Sequence, residues 1–380
     1  MRIIIAIDSF KGSLTSREAG EAALRAAREI FPDAEAEAFP LADGGEGTAN
    51  AIISANGGVM RRCRVRGPLD EAIDAAYGIL PKTNTAVIEM AEAAGLTLVP
   101  TEKRDPEKTT TYGVGELILD AIEKGCRDFI IGIGGSATND GGVGMLTALG
   151  FAFLDKNGLP VPQGAAGLAK IDTISLESAH PTLSDCRFIV ACDVTNPLCG
   201  EQGCSAVYGP QKGASPEAVT RMDKALVRYA TLTEKTIGRS FENTPGAGAA
   251  GGMGFALFAY LGAVAESGIS LVMRTTGLND ALHGADLVIT GEGRIDRQSA
   301  MGKAPIGVAA EAKRQGATVI ALCGCRGEGA EACNDAGIDA IFPILSAPIS
   351  ITEAMEPQTA RENLYKTARQ ALLLYRAAKG

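Results

Sequence analysis

The residues best suited to chemistry sit where apolar runs end. IIIAIDSFKG (residues 3–12) delivers an acid, a hydroxyl and an amine in Asp8, Ser9 and Lys11, with Phe10 among them and a single glycine after. ADLVITGEGRID (residues 285–296) ends in Glu292, Arg294 and Asp296. A lone Lys11 would more often be a solvated loop charge. Beside Arg294 and the acids it reads as part of a site for an anionic ligand.

Two further strand ends carry polar residues. DFIIGIGGSATNDGGVGM is a strand, a glycine turn with Ser136, Thr138, Asn139 and Asp140, then a helix. Such a turn can offer backbone N–H groups and a helix N-terminus to a phosphate. RFIVACDVTNPLCG ends a strand in Asp193, Thr195 and Asn196. An aspartate there is often a turn former; the small polar residues directly after it raise it to a candidate. PGAGAAGG contains G-x-G-x-x-G from Gly246 to Gly251, but the preceding RSFENTP is no strand, which a dinucleotide fingerprint requires. Either a helix start packs closely through its glycines, or Gly246 and Gly248 open a phosphate-binding helix N-terminus. No G-x-x-x-x-G-K-[ST] occurs.

The elements that must position these residues form an interrupted pattern. A strand at residues 2–7, an amphipathic helix at 15–31 and a short strand at 34–41 open the chain. The rhythm then changes. RRCRVRG, IDAAYGIL and TAVIEMA are extended pieces joined by turns too short for crossover helices, which predicts an antiparallel meander. A helix at 111–124 and a strand at 128–133 follow. After residue 284 the βα alternation returns, with strands at 285–290, 317–323 and 340–344 and a last helix through ENLYKTARQALLLYRAA. Five parallel strands from the two chain ends make a flavodoxin-like doubly wound α/β sheet. The expected domains are therefore residues 1–43 with 284–380, and a mixed α/β insert at 44–283. In that sheet, strands one and three meet at the switch point, beyond whose carboxyl ends ligands bind. DSFKG and TGEGRID converge there.

Composition narrows the classes. The 380 residues suit two domains, and 46% hydrophobic with 21% charged residues is ordinary for a soluble globular protein. A net charge of −9 argues against a nucleic-acid partner. Nine cysteines, an odd number in a long chain, read as reduced thiols. Cys199/Cys204 and Cys323/Cys325 lack zinc spacing. No signal-like start and no 18-residue apolar span is seen, so no membrane and a cytoplasmic location are expected. The residues alone thus point to a two-domain α/β enzyme whose cleft takes phosphorylated or carboxylated ligands.

DSFKGS (8–13), PLADGGEGT (40–48), TTTYGVGELI (109–118), GIGGSATNDGG (132–142), CDVTNPLCG (192–200), PGAGAAGG (245–252) and ITGEGRID (289–296) run in an order that resembles the type I glycerate kinase family. The resemblance implies a flavodoxin-like domain interrupted by a restriction-endonuclease-like one. It also implies ATP-dependent phosphorylation of D-glycerate, usually at the 2-hydroxyl, with Mg²⁺; the 3-hydroxyl is the alternative. Phosphoryl transfer needs cations and N–H donors on the polyphosphate and an acceptor for the attacking hydroxyl. On that basis Lys11 and Arg294 bind anions, and Ser9 and Phe10 shape the pocket. Asp43, Asp193 and Asp296 orient a hydroxyl or hold Mg²⁺, with Asp193 first as base and Asp193 and Asp296 as metal ligands. Backbone at Ser136, Thr138 and Asn139, or at Gly246 and Gly248, would cradle ATP. Glycerate and ATP are the expected partners, and a homo-oligomer is compatible with the sequence. A hydroxy-acid dehydrogenase would need a nicotinamide turn after a strand, and a metabolite sensor would not need so many acids at strand ends.

Overall fold

The structure is a computed structural model that describes residues 1–345 and 347–379. The chain divides into two compact units: Met1–Asp43, Asn50–Asn56 and Ile269–Gly380 form one, and Gly44–Ala49 with Gly57–Gly268 the other. The strands in chain order are β1 (Arg2–Ile7), β2 (Glu35–Pro40), β3 (Val59–Arg66), β4 (Ala72–Leu80), β5 (Thr85–Glu89), β6 (Asp128–Gly132) and β7 (Ala152–Leu154). They continue with β8 (Thr173–Ser175), β9 (Arg187–Ala191), β10 (Val264–Glu266), β11 (Leu287–Ile295), β12 (Thr318–Arg326) and β13 (Ala340–Pro343).

The first unit is built on a parallel sheet ordered β2-β1-β11-β12-β13. Numbered among themselves these strands read 2-1-3-4-5, the flavodoxin-like order. Ile3 to Ile7 of β1 are buried throughout, as expected of a strand with neighbours on both edges and helices on both faces. Ile3, Ile5 and Ile7 pack with Ala19, Ala23 and Ala27 of helix Ser16–Ile30 and with Leu364 and Ala368 of helix Pro357–Lys379. Helix Ser16–Ile30 starts at a capping box: Thr15 accepts from the Glu18 N–H, and the Glu18 carboxylate accepts from the Thr15 N–H.

The second unit carries the mixed sheet β10-β9-β6-β5-β4-β3. The expected meander is present, because β3–β4 and β4–β5 are antiparallel. From β5 onward, through β6, β9 and β10, every pairing is parallel. Phe129 and Phe188 stack at 4.8 Å on neighbouring strands of this sheet. A second aromatic group, Phe153, Tyr229, Phe255 and Tyr260, fills the core nearby.

Two sequence expectations differ from the structure in extent. Strands expected to stop at residues 290 and 323 continue to Ile295 and Arg326. The glycines that made TGEGR read as a loop are instead needed within paired strands: a Cβ at Gly291 would lie 2.0 Å from the Leu322 carbonyl oxygen, and one at Gly324 2.5 Å from that of Gly293. The far boundary of the insert, expected at residue 283, falls at 268. From Ile269 onward the helix Gly268–Thr276 belongs to the first unit, where Ile269 packs so closely on Gly307 that a Cβ there would lie 2.5 Å from its Cγ1. No helix among the described residues is long and apolar enough to cross a membrane.

Candidate active site

The switch point lies between β1 and β11, whose Cα partners run from Ile3–Leu287 to Ile7–Gly291. The Asp8 N–H donates to the Gly291 carbonyl at 2.8 Å, extending that pairing by one residue. Ser16 fixes the other side of β1. Its hydroxyl donates to the Ile7 carbonyl and accepts from the Leu41 N–H, both at 2.7 Å, so the ends of β1 and β2 are tied. Between these anchors the chain folds back on itself, Phe10 and Leu14 exchanging backbone hydrogen bonds at 2.9 and 3.0 Å. Gly12 makes this turn with φ +75°, a conformation that favours glycine.

Beyond the carboxyl ends of these strands lies a cavity of about 1070 Å³. Asp8, Ser9, Phe10, Lys11, Asp43, Glu292, Arg294, Asp296 and Lys303 line its polar side. Six residues nominated from the sequence (Ser9, Phe10, Lys11, Asp43, Arg294 and Asp296) are therefore gathered at one place. Phe10 is mostly core, being 4% exposed, and a Cβ at Gly293 would come within 3.4 Å of its Cα. The paired extension of β11 and β12 past β1 makes this wall a two-stranded ribbon, with Glu292 opposite Cys323 and Arg294 opposite Cys325.

The electrostatics of this cavity are unusual for a group of carboxylates. Burial, then the neighbouring Asp43, then Glu292, push the Asp8 carboxyl up to about 7, against the opposing pull of the Ser9 N–H and Lys11. The Ser9 N–H donates to Asp8 Oδ1 at 2.6 Å. Glu292 is likewise raised, chiefly by burial, although Ser299 donates to it at 2.6 Å and Lys303 stands 3.9 Å away. Asp296 is held from two sides, by Arg294 Nε at 3.1 Å and by the Gln298 N–H at 2.9 Å. Asp8 and Glu292 stood among the strand-end residues read from the sequence but received no role there, and Lys303 was not singled out. Asp8 stood inside the quoted motif, and its burial is what the sequence did not display.

Mg²⁺ takes oxygen ligands and keeps several waters, so beside a polyphosphate one or two carboxylates suffice. The cavity's carboxylates fit that lesser demand. They do not form an all-protein cage: among the described residues no three His, Cys, Asp or Glu side chains are grouped to hold a metal ion. All nine cysteines are free thiols.

The other nominated residues belong to the second unit. Asp193 follows β9, is exposed, and its Oδ1 accepts from the Gly268 N–H at 3.0 Å. Ser136, Thr138 and Asn139 are buried. Asn139 donates to Ser205 at 2.8 Å, and Lys212 donates to Ser136 Oγ at 2.8 Å and to the Thr138 carbonyl at 2.6 Å. Lys212 is 2% exposed and burial lowers its ammonium to about 8. Nothing in the sequence around it signals this. Asp140 accepts from the Thr111 N–H and hydroxyl and from the N–H groups of Gly142 and Gly144, yet burial still raises it. Glu89, raised to about 7 chiefly by burial, receives the N–H groups of Gly47 and Ala49.

At the glycine-rich segment the chain does not run as a smooth helix start, since Ala250, Gly251 and Gly252 are all left-handed. A Cβ at Gly248 would lie 2.2 Å from the Pro197 carbonyl oxygen and one at Gly251 2.0 Å from that of Thr138. Close packing of chain on chain is thus a sufficient reason for these glycines.

Comparison with known proteins agrees with this architecture. The model of the glycerate kinase family matches residues 3–376. The chain is 48% identical over 369 residues to the glycerate 2-kinase of Escherichia coli K12, covering 97% of this chain and 96% of that one. It is 44% identical over 379 residues to the glycerate kinase of Bacillus subtilis 168, covering 100% and 99%. A crystal structure from Salmonella typhimurium LT2, described as a glycerate kinase 2, superposes with a TM-score of 0.89 at 45% identity over 100% of this chain and 99% of that one. On a match running from the first strand to the last helix, the chain belongs to the glycerate kinase family.

Proposed function

We propose that the protein transfers the γ-phosphoryl group of ATP to the 2-hydroxyl of D-glycerate, giving 2-phosphoglycerate and ADP. The observation that carries this reading is the convergence of Lys11, Arg294 and Lys303 with Asp8, Asp43 and Glu292 at the switch point of the flavodoxin-like sheet. Both substrates are anions, and a cavity holding cations beside carboxylates meets their charge while leaving an acceptor for a proton.

In this mechanism Lys11 and Arg294 hold the carboxylate of glycerate and the transferring phosphoryl group. Ser9 supplies a hydroxyl at the edge of that pocket. The glycerate hydroxyl oxygen bonds to the γ-phosphorus as the bond to the β,γ-bridging oxygen breaks, and the hydroxyl proton passes to a carboxylate. Asp193 is the base in this reading, its orientation supported by the Gly268 N–H. A second reading, Asp8 as base, is favoured by one observation: its carboxyl is raised to about 7, so it exchanges a proton near neutral pH. When bound, Mg²⁺ would neutralise polyphosphate charge, with Asp296 and Asp193 as the carboxylates nearest in role. A cytoplasmic location accords with free cysteines throughout.

ADP should form from ATP only when glycerate is added, and phosphorus NMR of the product should show the 2-phosphate. ADP release without glycerate, or a 3-phosphate product, would overturn the first or the second part of this reading.

A further inference from the structure

The switch-point cavity is far larger than a three-carbon acid needs. At about 1070 Å³ it slightly exceeds the range of clefts that enclose small-molecule and cofactor ligands, roughly 300–1,000 Å³. Its two sides differ in chemistry. One carries the charges described above. The other is apolar, formed by Ile344, Ile349, Ile351, Ala354 and Met355.

These apolar side chains are uncovered to a degree that packing alone does not explain. Ile351 is 79% exposed, Met355 42% and Ile349 38%, all within one short stretch of chain. That stretch is nonetheless well specified. Helix Ile351–Met355 begins at a capping box in which Ser350 accepts from the Glu353 N–H and Glu353 accepts from the Ser350 N–H. Met355 also reaches the turn of the first loop, where a Cβ at Gly12 would lie 3.0 Å from its Cε. An ordered apolar wall therefore faces a cationic one across a space that glycerate, which has almost no apolar surface, cannot fill.

We propose that this apolar wall seats the adenosine end of ATP, with the polyphosphate extending to Lys11, Arg294 and Lys303. The inference rests on the kinase reading above and adds where the nucleoside lies. The chemistry matches at both ends. A purine presents broad faces of low polarity that gain by covering aliphatic side chains. The triphosphate presents charge that the lysines and arginine meet at the sheet's carboxyl edge. The seat uses side chains that are open in the cavity, whereas Thr138 and Asn139 of the second unit are wholly buried.

The test uses the full chain, with ADP and inorganic tripolyphosphate as separate calorimetric probes, beside steady-state turnover. Ile351→Asp places a charge against the base. It should weaken ADP binding about tenfold or more while tripolyphosphate binding changes less than about twofold. Ile351→Ala and Met355→Ala should each weaken ADP only a few-fold, and the KM for glycerate should hold in all three. Because Ile351 is so exposed, thermal unfolding should be unchanged, and this is measured on the same samples. Unaltered ADP affinity in both Ile351→Asp and Met355→Asp, with normal glycerate-dependent turnover in the parent, would remove the adenosine seat and leave the kinase reading standing. A parent without turnover whose ADP binding is still lost in Ile351→Asp would keep the seat and remove the kinase reading. A parent that neither binds ADP nor turns over would remove both.

Discussion

The backbone N–H of Asp8 donates to the carbonyl oxygen of Gly291 at 2.8 Å, joining residues that lie far apart in sequence. This bond turns the Asp8 side chain into a fixed feature of the switch point, close to Asp43 and Glu292, and much of its behaviour follows.

The Asp8 carboxyl is raised to about 7 in the folded protein, against 3.8 for an ordinary exposed aspartate. The folded state therefore binds more protons than the unfolded state between those values, and stability falls as pH rises through the window. Asp8→Asn should be more stable than the parent at pH 8, by an amount on the order of 2–4 kcal/mol. The two should converge near pH 4. Urea denaturation at pH 4, 6 and 8 checks this; a parent as stable as the variant at pH 8 would contradict it. Activity on the same variant tests Asp8 as base, since a lost base costs roughly 10²- to 10⁴-fold in kcat.

Lys11 is exposed on the loop and lines the cavity. Lys11→Ala should cost on the order of 2–4 kcal/mol in kcat/KM, as expected for a lost charged stabiliser, with little change in stability. Unchanged kinetics in the folded variant would return Lys11 to an ordinary solvated charge.

If Asp193 takes the hydroxyl proton, Asp193→Asn should lower kcat by about 10²- to 10⁴-fold while glycerate binding survives. A role confined to orienting the turn at Gly268 would leave kcat nearly intact, because asparagine also accepts an N–H. Partial rescue by added Mg²⁺ would mark it as a metal ligand instead. Kinetics over a Mg²⁺ series, beside glycerate titration, separates the three.

Lys212 tests the interior of the second unit. Its ammonium donates to Ser136 and the Thr138 carbonyl, so Lys212→Met keeps volume but leaves two buried acceptors unpaired. The loss should be about 1–3 kcal/mol per orphaned group at pH 7. Burial lowers its folded value to about 8 from 10.5, so the parent binds fewer protons when folded in that window. Its stability should rise from pH 8 to 10 relative to the variant. Parallel denaturation curves at pH 7 and 9.5 read both effects.

What was legible in the sequence, and what was not, follows from the range of each interaction. β1, the amphipathic helix after it and the β3–β5 meander were readable because apolar spacing and short turns act within a few residues. The switch-point residues could be gathered because five strand patterns imply a strand order. The continuation of β11 to Ile295 was not readable: TGEGR has the composition of a loop, and only its partner Leu322 to Arg326 shows that the glycines make room for a second strand. Burial was the other hidden quantity. Asp8 and Lys212 are ordinary letters in sequence, and the desolvation that shifts them comes from residues far along the chain.

The pairing of Ile3 with Leu287 also governs how the chain can be made. β1 leaves the ribosome at the outset, but its inner-edge partner is 284 positions later. At roughly 5–20 residues per second, synthesis leaves β1 with that edge open for about 15 to 60 s. During that interval an apolar strand with only β2 and one helix beside it is a template for the wrong neighbour. Chaperone capture of the nascent chain and slow refolding of the denatured protein are the expected costs of building a switch point from strands so far apart in sequence.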